Sequence, residues 1–367
     1  MTTVNTALQP KINEYISGDA FGDAGSTYAG ATAKAATFAR VAGANTTSYG
    51  GVNLITRLEE RVSATAPIVG RIEDKSTFGD FANVIGQGYA VRALIEAKSK
   101  RAAEATAFLL AQQCTSGFFR ESFTTNKAAA TQGCIEGQAD SAASLDATAL
   151  AVVNLLESGS HDKAVTAAVA KAGTWLATQQ KASGAFGGDG VGANTNSTGL
   201  AGWALGLLKN REAATKAAVW VRKQQPIESN KCRSALTRDT GAIAYKPKDV
   251  GVARNDGITD KSAYQWRRST AQAMAVLQWA PASVDALAVS SRRTSGEAGD
   301  RVRFAVTGLA PGERACLAIK GDFKRIAGKA SGGPVARKLE LPTGNRSRIV
   351  KVKTADTAAK TTIQVRN

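Results

Sequence analysis

A six-residue pattern that occurs three times is the feature that most restricts how this chain folds. Each copy has an aromatic residue, an aliphatic residue, two variable positions and two glutamines, at residues 108–113, 175–180 and 220–225. In two copies a glycine and an aromatic residue follow at fixed spacing, and the third reaches Gly241 after a longer insertion. The residues concerned are Gln113, Gly117 and Phe119, then Gln180, Gly184 and Phe186, then Gln225. A pattern that returns every 45 to 65 residues or so predicts units that stack on one another.

Two kinds of helix are expected to alternate in these units. Segments 83–97, 145–156, 196–205 and 269–277 are apolar almost all round, which is typical of buried inner helices. The helices that end in two glutamines have one apolar face, which predicts outer helices with one wet side. A weaker copy at residues 30–39 begins the array, giving about five helical pairs. The side chains expected to cap the inner helices are Asp146, Asn196 and Ser269.

The spacing from Gln113 to Gly117 and Phe119, and from Gln180 to Gly184 and Phe186, resembles that of the squalene-cyclase and protein-prenyltransferase superfamily. It is similar in particular to secreted actinobacterial repeat proteins of that superfamily. The resemblance covers roughly residues 20–282 and implies a mainly α fold, an α/α toroid that occupies residues 1–282. It also implies that the glutamine ties the next turn, that the glycine permits this turn, and that the aromatic ring stacks over it.

Residues 283–367 alternate with the period of β-strands, for example at Val302, Phe304 and Val306. About seven short strands fit, which predicts an immunoglobulin-like β-sandwich, with a small barrel as the alternative. Residues 284–367 hold 17 Lys and Arg against 7 Asp and Glu, a net charge of +10 out of +17 for the whole chain. This basic region either attracts an anionic polymer or is a solvated surface. Phe304 and Phe323 are its only aromatic residues, so a nucleic-acid partner is not expected.

The four cysteines indicate disulfides in an oxidising compartment, with buried free thiols as the alternative. They are Cys114, Cys134, Cys232 and Cys316, none of them in a Cys-x-x-Cys pair, and His161 is the single histidine. A zinc site of the usual ligand type is therefore not expected, and no cofactor is predicted. No apolar run is long enough to span a bilayer. The expected location is outside the cell or on its surface, although the chain begins without a signal peptide.

The catalytic motifs of the resembled superfamily are incomplete. Squalene-type cyclases use an Asp-x-Asp-Asp-Thr-Ala motif, and of its three aspartates residues 144–149 keep only the central one, Asp146. Without the flanking carboxylates that tune it, Asp146 is better explained as a capping residue. Aromatic residues make up 6% of the chain, too few to wall a carbocation cavity. The zinc ligands of prenyltransferases and the clustered aspartates of diphosphate-binding terpene synthases are also missing from the sequence.

Thioester domains of the complement type share the toroid and carry Gly-Cys-Gly-Glu-Gln. Here Gln138 lies one residue too far from Cys134 for that ring. We therefore expect a disulfide between Cys114 and Cys134, which leaves Cys232 to join Cys316 and to link the helical and strand regions.

These observations favour binding over catalysis. The leading hypothesis is a secreted or cell-envelope protein whose toroid binds a ligand or partner and whose basic domain holds an anionic wall polymer. A small apolar or cobalamin-like ligand in the toroid is one version of it. The alternative is a diverged terpene-cyclase-like enzyme that uses Asp146 as general acid.

Overall fold

A computed structural model describes residues 2–188 and 190–367. The chain divides into two compact units, Met1–Gln179 and Gln180–Asn367. The predicted domain boundary at residue 282 lies inside the second unit, where helices give way to strands, and it stays a prediction. The expected order, helices first and a C-terminal β region after them, is confirmed.

The described part of the first unit is helical. The bounds are α1 Thr2–Leu8, α2 Ile12–Ile16, α3 Ala29–Val41, α4 Leu54–Glu59, α5 Val84–Glu96, α6 Ala102–Ala111, α7 Leu145–Glu157 and α8 Lys163–Thr178. Helix α5 packs between α3 and α7, and α6 and α8 pack on α5 and α7 respectively. This is the alternation of inner and outer helices that the sequence predicts.

Helices in the second unit continue the same order before the strands begin. The bounds are α9 Thr195–Leu207, α10 Arg211–Arg222, α11 Pro247–Asp256 and α12 Asp260–Ala273, followed by a 3-10 turn at Met274–Trp279. Helix α9 packs against both α10 and α12. Most residues of α7 and α9 are buried, 10 and 9 of 13 respectively, whereas α8 buries only one face. The distinction between apolar inner helices and amphipathic outer helices is therefore visible in the structure.

The glutamine that ends an outer helix joins two elements. The Gln113 side-chain Nε2 donates to the carbonyl of Gly117 at 2.9 Å and to that of Ala168 in α8 at 2.8 Å. Gln180 repeats both bonds, to Gly184 at 3.1 Å and to Ala213 in α10 at 2.9 Å. Each side chain thus fixes a turn to the next outer helix. In the third copy, Gln225 donates to Gly241 at 3.0 Å.

Glycine is required at two of these turns. Gly117 has φ +103° and Gly184 has φ +89°, in the left-handed region that side chains disfavour. A Cβ atom at Gly117 would also meet the carbonyl oxygen of Lys171, and one at Gly184 would meet that of Lys216. The turn backbone can approach the neighbouring outer helix only because a side chain is missing.

The aromatic residue after the glycine is locked to an inner helix. The backbone N–H of Phe119 donates to the Thr148 hydroxyl at 2.8 Å, and that of Phe186 donates to Thr198 at 2.9 Å. Both rings are fully buried. The threonines lie in the first turns of α7 and α9, so each repeat ties turn, outer helix and inner helix together.

The expected helix caps are wrong. Ser144 caps α7 by accepting the N–H of Ala147 at 3.2 Å, so Asp146 is the second helical residue. Asn194, two residues before Asn196, caps α9. Ser269 lies in the interior of α12, which begins nine residues earlier at Asp260. The first two caps are misplaced by two residues, within the usual uncertainty of helix ends. The start of α12 is missed because its residues 260–268 are mostly polar and show no apolar run.

The strands of the C-terminal region form two sheets around one core. The bounds are β1 Ala288–Ser290, β2 Ser295–Glu297, β3 Arg301–Thr307, β4 Arg314–Ile319, β5 Asp322–Ala327, β6 Val335–Glu340, β7 Arg346–Lys353 and β8 Ala358–Arg366. One sheet has the order β1-β3-β6 and the other β2-β8-β7-β4-β5, with β2 parallel to β8 and the other pairs antiparallel. Phe304, Leu317 and Val350 lie in their common core.

Candidate functional site

A groove on the three-stranded sheet is the site that best matches the expected partner. Alternation along β3 buries Val302, Phe304 and Val306 and turns Arg301 and Arg303 outward. Across the outer face, Ser290 of β1, Ala305 of β3 and Ala336 of β6 lie in register. These small side chains leave space between the longer ones, and the groove has a volume of about 790 Å³.

The lining of the groove is basic. Five exposed cations line it, and no Asp or Glu of the described residues does so. The cations are Arg292, Arg293, Arg303, Lys329 and Arg337. Of these five cations, only Arg293 has an ion pair within the described residues, to Asp300 at 2.6 Å. That contact, more than any other, holds the pKa of the Asp300 carboxyl below its usual value. The remaining four cations keep their charge available for an external anion.

This geometry is suited to binding. Guanidinium groups match the oxygens of phosphate and carboxylate in two-point contacts, and several of them along a groove fit a repeating anion. The lining includes two serines, Ser290 and Ser291, and within the described residues neither a His nor a carboxylate lies beside them in the groove. The groove can hold a charged chain.

Asp146 lies elsewhere, in the first turn of α7 in the first unit, and is half-buried. Ser144, two residues before Asp146, caps the helix through its hydroxyl. The same Oγ donates to Glu121 Oε2 at 3.4 Å. The threonine of the partial motif, Thr148, accepts from Phe119 and donates to backbone carbonyls. Two of the residues around Asp146 thus have structural roles.

The cysteines form the two expected disulfides, Cys114 with Cys134 and Cys232 with Cys316. Because Cys134 is oxidised, its sulfur is not available for a thioester with Gln138. His161 is exposed at the start of α8. In residues 2–188 and 190–367, no cluster of three or more His, Cys, Asp or Glu is arranged to hold a metal ion. Over the same residues, no helix has the length and apolar character needed to cross a bilayer.

A fourth glutamine, which the repeat spacing does not reveal, ties a turn to an outer helix in the same way. Gln87, in inner helix α5, donates from Nε2 to the carbonyl of Gly70 at 2.8 Å and to that of Ala105 in α6 at 3.0 Å. Its Oε1 accepts the N–H of Ile72 at 2.9 Å. One side chain therefore performs the tasks that Gln113 and Thr148 share. The only available signal is the Gly-x-aliphatic spacing of Gly70 and Ile72.

Buried arginines were also missed. Arg120 is fully buried and donates to the Gln112 side chain through two nitrogens, at 2.9 and 2.7 Å, and it lies 3.3 Å from Asp140. Burial lowers the pKa of this guanidinium, although Asp140 opposes the change. In the second unit the fully buried Glu228 carboxylate pairs with Arg254 at 2.7 Å and with Arg325 at 2.8 Å. Residue type and spacing gave no indication of either cluster.

Comparison with protein-family models and with curated protein sequences finds no match. Function must therefore be argued from the sites themselves.

Proposed function

We propose that this is an exported, non-catalytic binding protein that holds an anionic cell-wall polymer in the basic groove of its C-terminal region. The observation that carries the proposal is the lining of the groove, where five exposed cations lie with no carboxylate from the described part of the chain. The net charge of +10 in residues 284–367 extends the attraction beyond the groove. An anion that enters meets Arg303 and Arg337 without having to displace an ion pair within the described residues.

The proposal includes the finer fold. The helical pairs, with α5 between α3 and α7 and with glutamine-tied turns in both units, support an α/α toroid of the squalene-cyclase and prenyltransferase type. The two sheets around one core support an immunoglobulin-like sandwich. The two disulfides support export, since such bonds persist in oxidising compartments.

The test measures retention of the full chain on immobilised wall teichoic acid at 0.1 M and at 1 M salt. At 0.1 M salt, the amount of the double variant Arg303→Gln/Arg337→Gln that is retained should be at least roughly tenfold lower than for the unaltered protein, because two direct anion contacts are removed. Lys351→Gln/Lys360→Gln is the matched control. These lysines are exposed and pair across β7 and β8 on the other sheet, and the control removes the same charge.

The control should keep most of its retention and lose only the long-range part. Equal losses in the two double variants would show that net charge, not the groove, is responsible. Retention by the unaltered protein that does not change between 0.1 and 1 M salt would contradict the electrostatic proposal, because the Debye length falls from about 10 to about 3 Å over that range.

A separate test addresses the enzymatic alternative. Incubation with squalene and with linear prenyl diphosphates should give no turnover, for the protein or for Asp146→Asn. The substitution should lower the free energy of unfolding by about 1 kcal/mol or less, through loss of a charge near the helix N-terminus. Turnover that Asp146→Asn abolishes would overturn the non-catalytic assignment.

A further inference from the structure

A second cleft, in the second unit, differs from the groove in its charges. It has a volume of about 450 Å³ and lies between the end of α10, the segment that enters the β region, and the turns at residues 308–314 and 355–357. This volume is near the lower end of the range for small-ligand pockets. Ile227 and Leu287 contribute apolar wall, and two arginines and three carboxylates also line the cleft.

Both arginines are anchored by one side of the guanidinium only. Arg222 Nη1 donates to the carbonyls of Pro281 at 2.8 Å and Pro311 at 3.0 Å. Arg314 Nε donates to the carbonyl of Lys223 at 2.6 Å. Neither has an ion pair within the described residues, and both Nη groups of Arg314 lack a hydrogen-bond partner there. Because the cleft is lined by these side chains, their remaining N–H groups are held in place for a ligand.

The surroundings of Arg314 favour an added anion. Glu228 is the buried carboxylate of this region, and it already pairs with Arg254 and Arg325. Glu228 therefore pairs with two guanidinium groups and acts on Arg314 only through space. Burial, and then repulsion by Arg254, lower the pKa of Arg314 to about 10, and Glu228 offsets this only in part. A half-buried cation without a partner is unfavourable, and an anion in the cleft would relieve it.

The carboxylates at the same cleft limit which anion fits. Asp285 and Asp356 are exposed, and Glu313 accepts the N–H of Ala310 at 2.9 Å. They repel a dianion or a polyanion, and they accept hydrogen bonds from hydroxyl groups. A ligand with one carboxylate for the arginines and several hydroxyls for the acidic side satisfies both sets of groups.

We propose that this cleft binds a small hydroxylated monocarboxylate, of the sugar-acid class, with its carboxylate held by Arg314 and Arg222. The site is separate from the basic groove, and the proposal does not depend on polymer binding.

Calorimetric titration of the full chain with D-glucuronate tests this assignment. Saturable binding with one site is expected, with D-glucose at least tenfold weaker because it lacks the carboxylate. Arg314→Gln should weaken glucuronate binding at least tenfold. Arg314→Lys should also weaken it several-fold, because lysine keeps the charge but cannot make a two-point contact. The groove variant Arg303→Gln/Arg337→Gln should bind glucuronate as the unaltered protein does.

The absence of saturable glucuronate binding would overturn the proposal, as would binding that Arg314→Gln leaves unchanged. Tighter binding of inorganic phosphate than of glucuronate would overturn the carboxylate assignment. If Arg314→Gln fails to fold, as its circular dichroism would show, Arg222→Gln provides the same comparison at the other guanidinium. Retention of Arg314→Gln on teichoic acid should fall no more than that of the Lys351→Gln/Lys360→Gln control, which separates this test from that of the groove.

Discussion

The two units use the same turn device but differ in charge. Residues 1–179 contain 15 Lys and Arg against 16 Asp and Glu, and residues 180–367 contain 32 against 14. The net charges are therefore −1 and +18. Gln113 and Gln180 make equivalent bonds in the two units, so the scaffold does not require the difference. The excess positive charge of the second unit can instead attract an anionic partner.

The contrast extends to the interior. In the first unit the buried arginines have carboxylates: Arg71 pairs with Asp80 at 3.1 Å, Arg92 with Glu96 at 3.0 Å, and Arg120 with Asp140. In the second unit the buried Arg348 and the half-buried Arg314 have no ion pair within the described residues. Balanced pairs hold a fold together, whereas the unpaired Arg314 lines a cleft, which supports our proposal that an external anion binds there.

Removing the disulfide of each unit is expected to give the largest changes in the free energy of unfolding. The Cys232–Cys316 bond closes a loop of 84 residues, and Cys114–Cys134 closes one of 20. In the chain-entropy treatment of disulfides, Cys232→Ala/Cys316→Ala should lower the free energy of unfolding by about 4.5 kcal/mol and Cys114→Ala/Cys134→Ala by about 3 kcal/mol. Urea unfolding of both variants measures the difference. The opposite order would mean that the helices and strands of the second unit are held together by their other contacts.

The pH dependence of stability tests the contribution of a paired carboxylate in the first unit, Asp80. Burial opposes ionisation of Asp80, but the N–H of Asp74 and the ammonium of Lys127 outweigh it, so the pKa of Asp80 lies below its usual value. The stability it contributes is then present above the usual carboxyl pKa and is lost as the pH falls through the lowered one. Asp80→Asn should lower the free energy of unfolding by about 3 kcal/mol at pH 7, because Arg71 loses its partner.

The difference between Asp80→Asn and the unaltered protein should shrink towards zero as the pH falls below the Asp80 pKa. Urea unfolding at a series of pH values measures it. A difference that is constant from pH 7 to pH 2 would show that the substitution acts through packing and not through charge.

Glycine substitutions test whether the turn device is the same in both units. Gly117→Ala and Gly184→Ala should each lower the free energy of unfolding by about 2 to 4 kcal/mol, from the left-handed backbone and from the contact with a carbonyl oxygen. Gly241→Ala is the matched control, since it has φ +97° but no atom within 4 Å of the added Cβ. Its effect should be about 1 kcal/mol. Equal effects at all three positions would remove the close approach as the reason for glycine.

The sequence predicted what depends on local pattern. Apolar periodicity located α5, α7 and α9, and the Gln-x-x-x-Gly spacing located the turns at Gly117 and Gly184. The repeat spacing did not reveal Gln87, because there the equivalent hydrogen bonds come from a side chain of an inner helix, not from the end of an outer helix.

The sequence also did not reveal the roles of Arg314 and Glu228. Arg314 reaches the Lys223 carbonyl across 91 positions, and Glu228 reaches Arg325 across 97, so both contacts exist only once the chain has folded. The charge of the C-terminal region could be counted, but the groove depends on the register of β1, β3 and β6.

The most direct test of the account is the salt dependence of the dissociation constant for soluble teichoic acid. We expect the logarithm of the association constant to fall linearly with the logarithm of the salt concentration. Arg303→Gln/Arg337→Gln should weaken binding and reduce that slope by about two, because each direct anion contact contributes about one. Lys351→Gln/Lys360→Gln should change the slope by less. A groove variant with the slope and affinity of the unaltered protein would contradict the claim that the groove of the second unit holds the polymer.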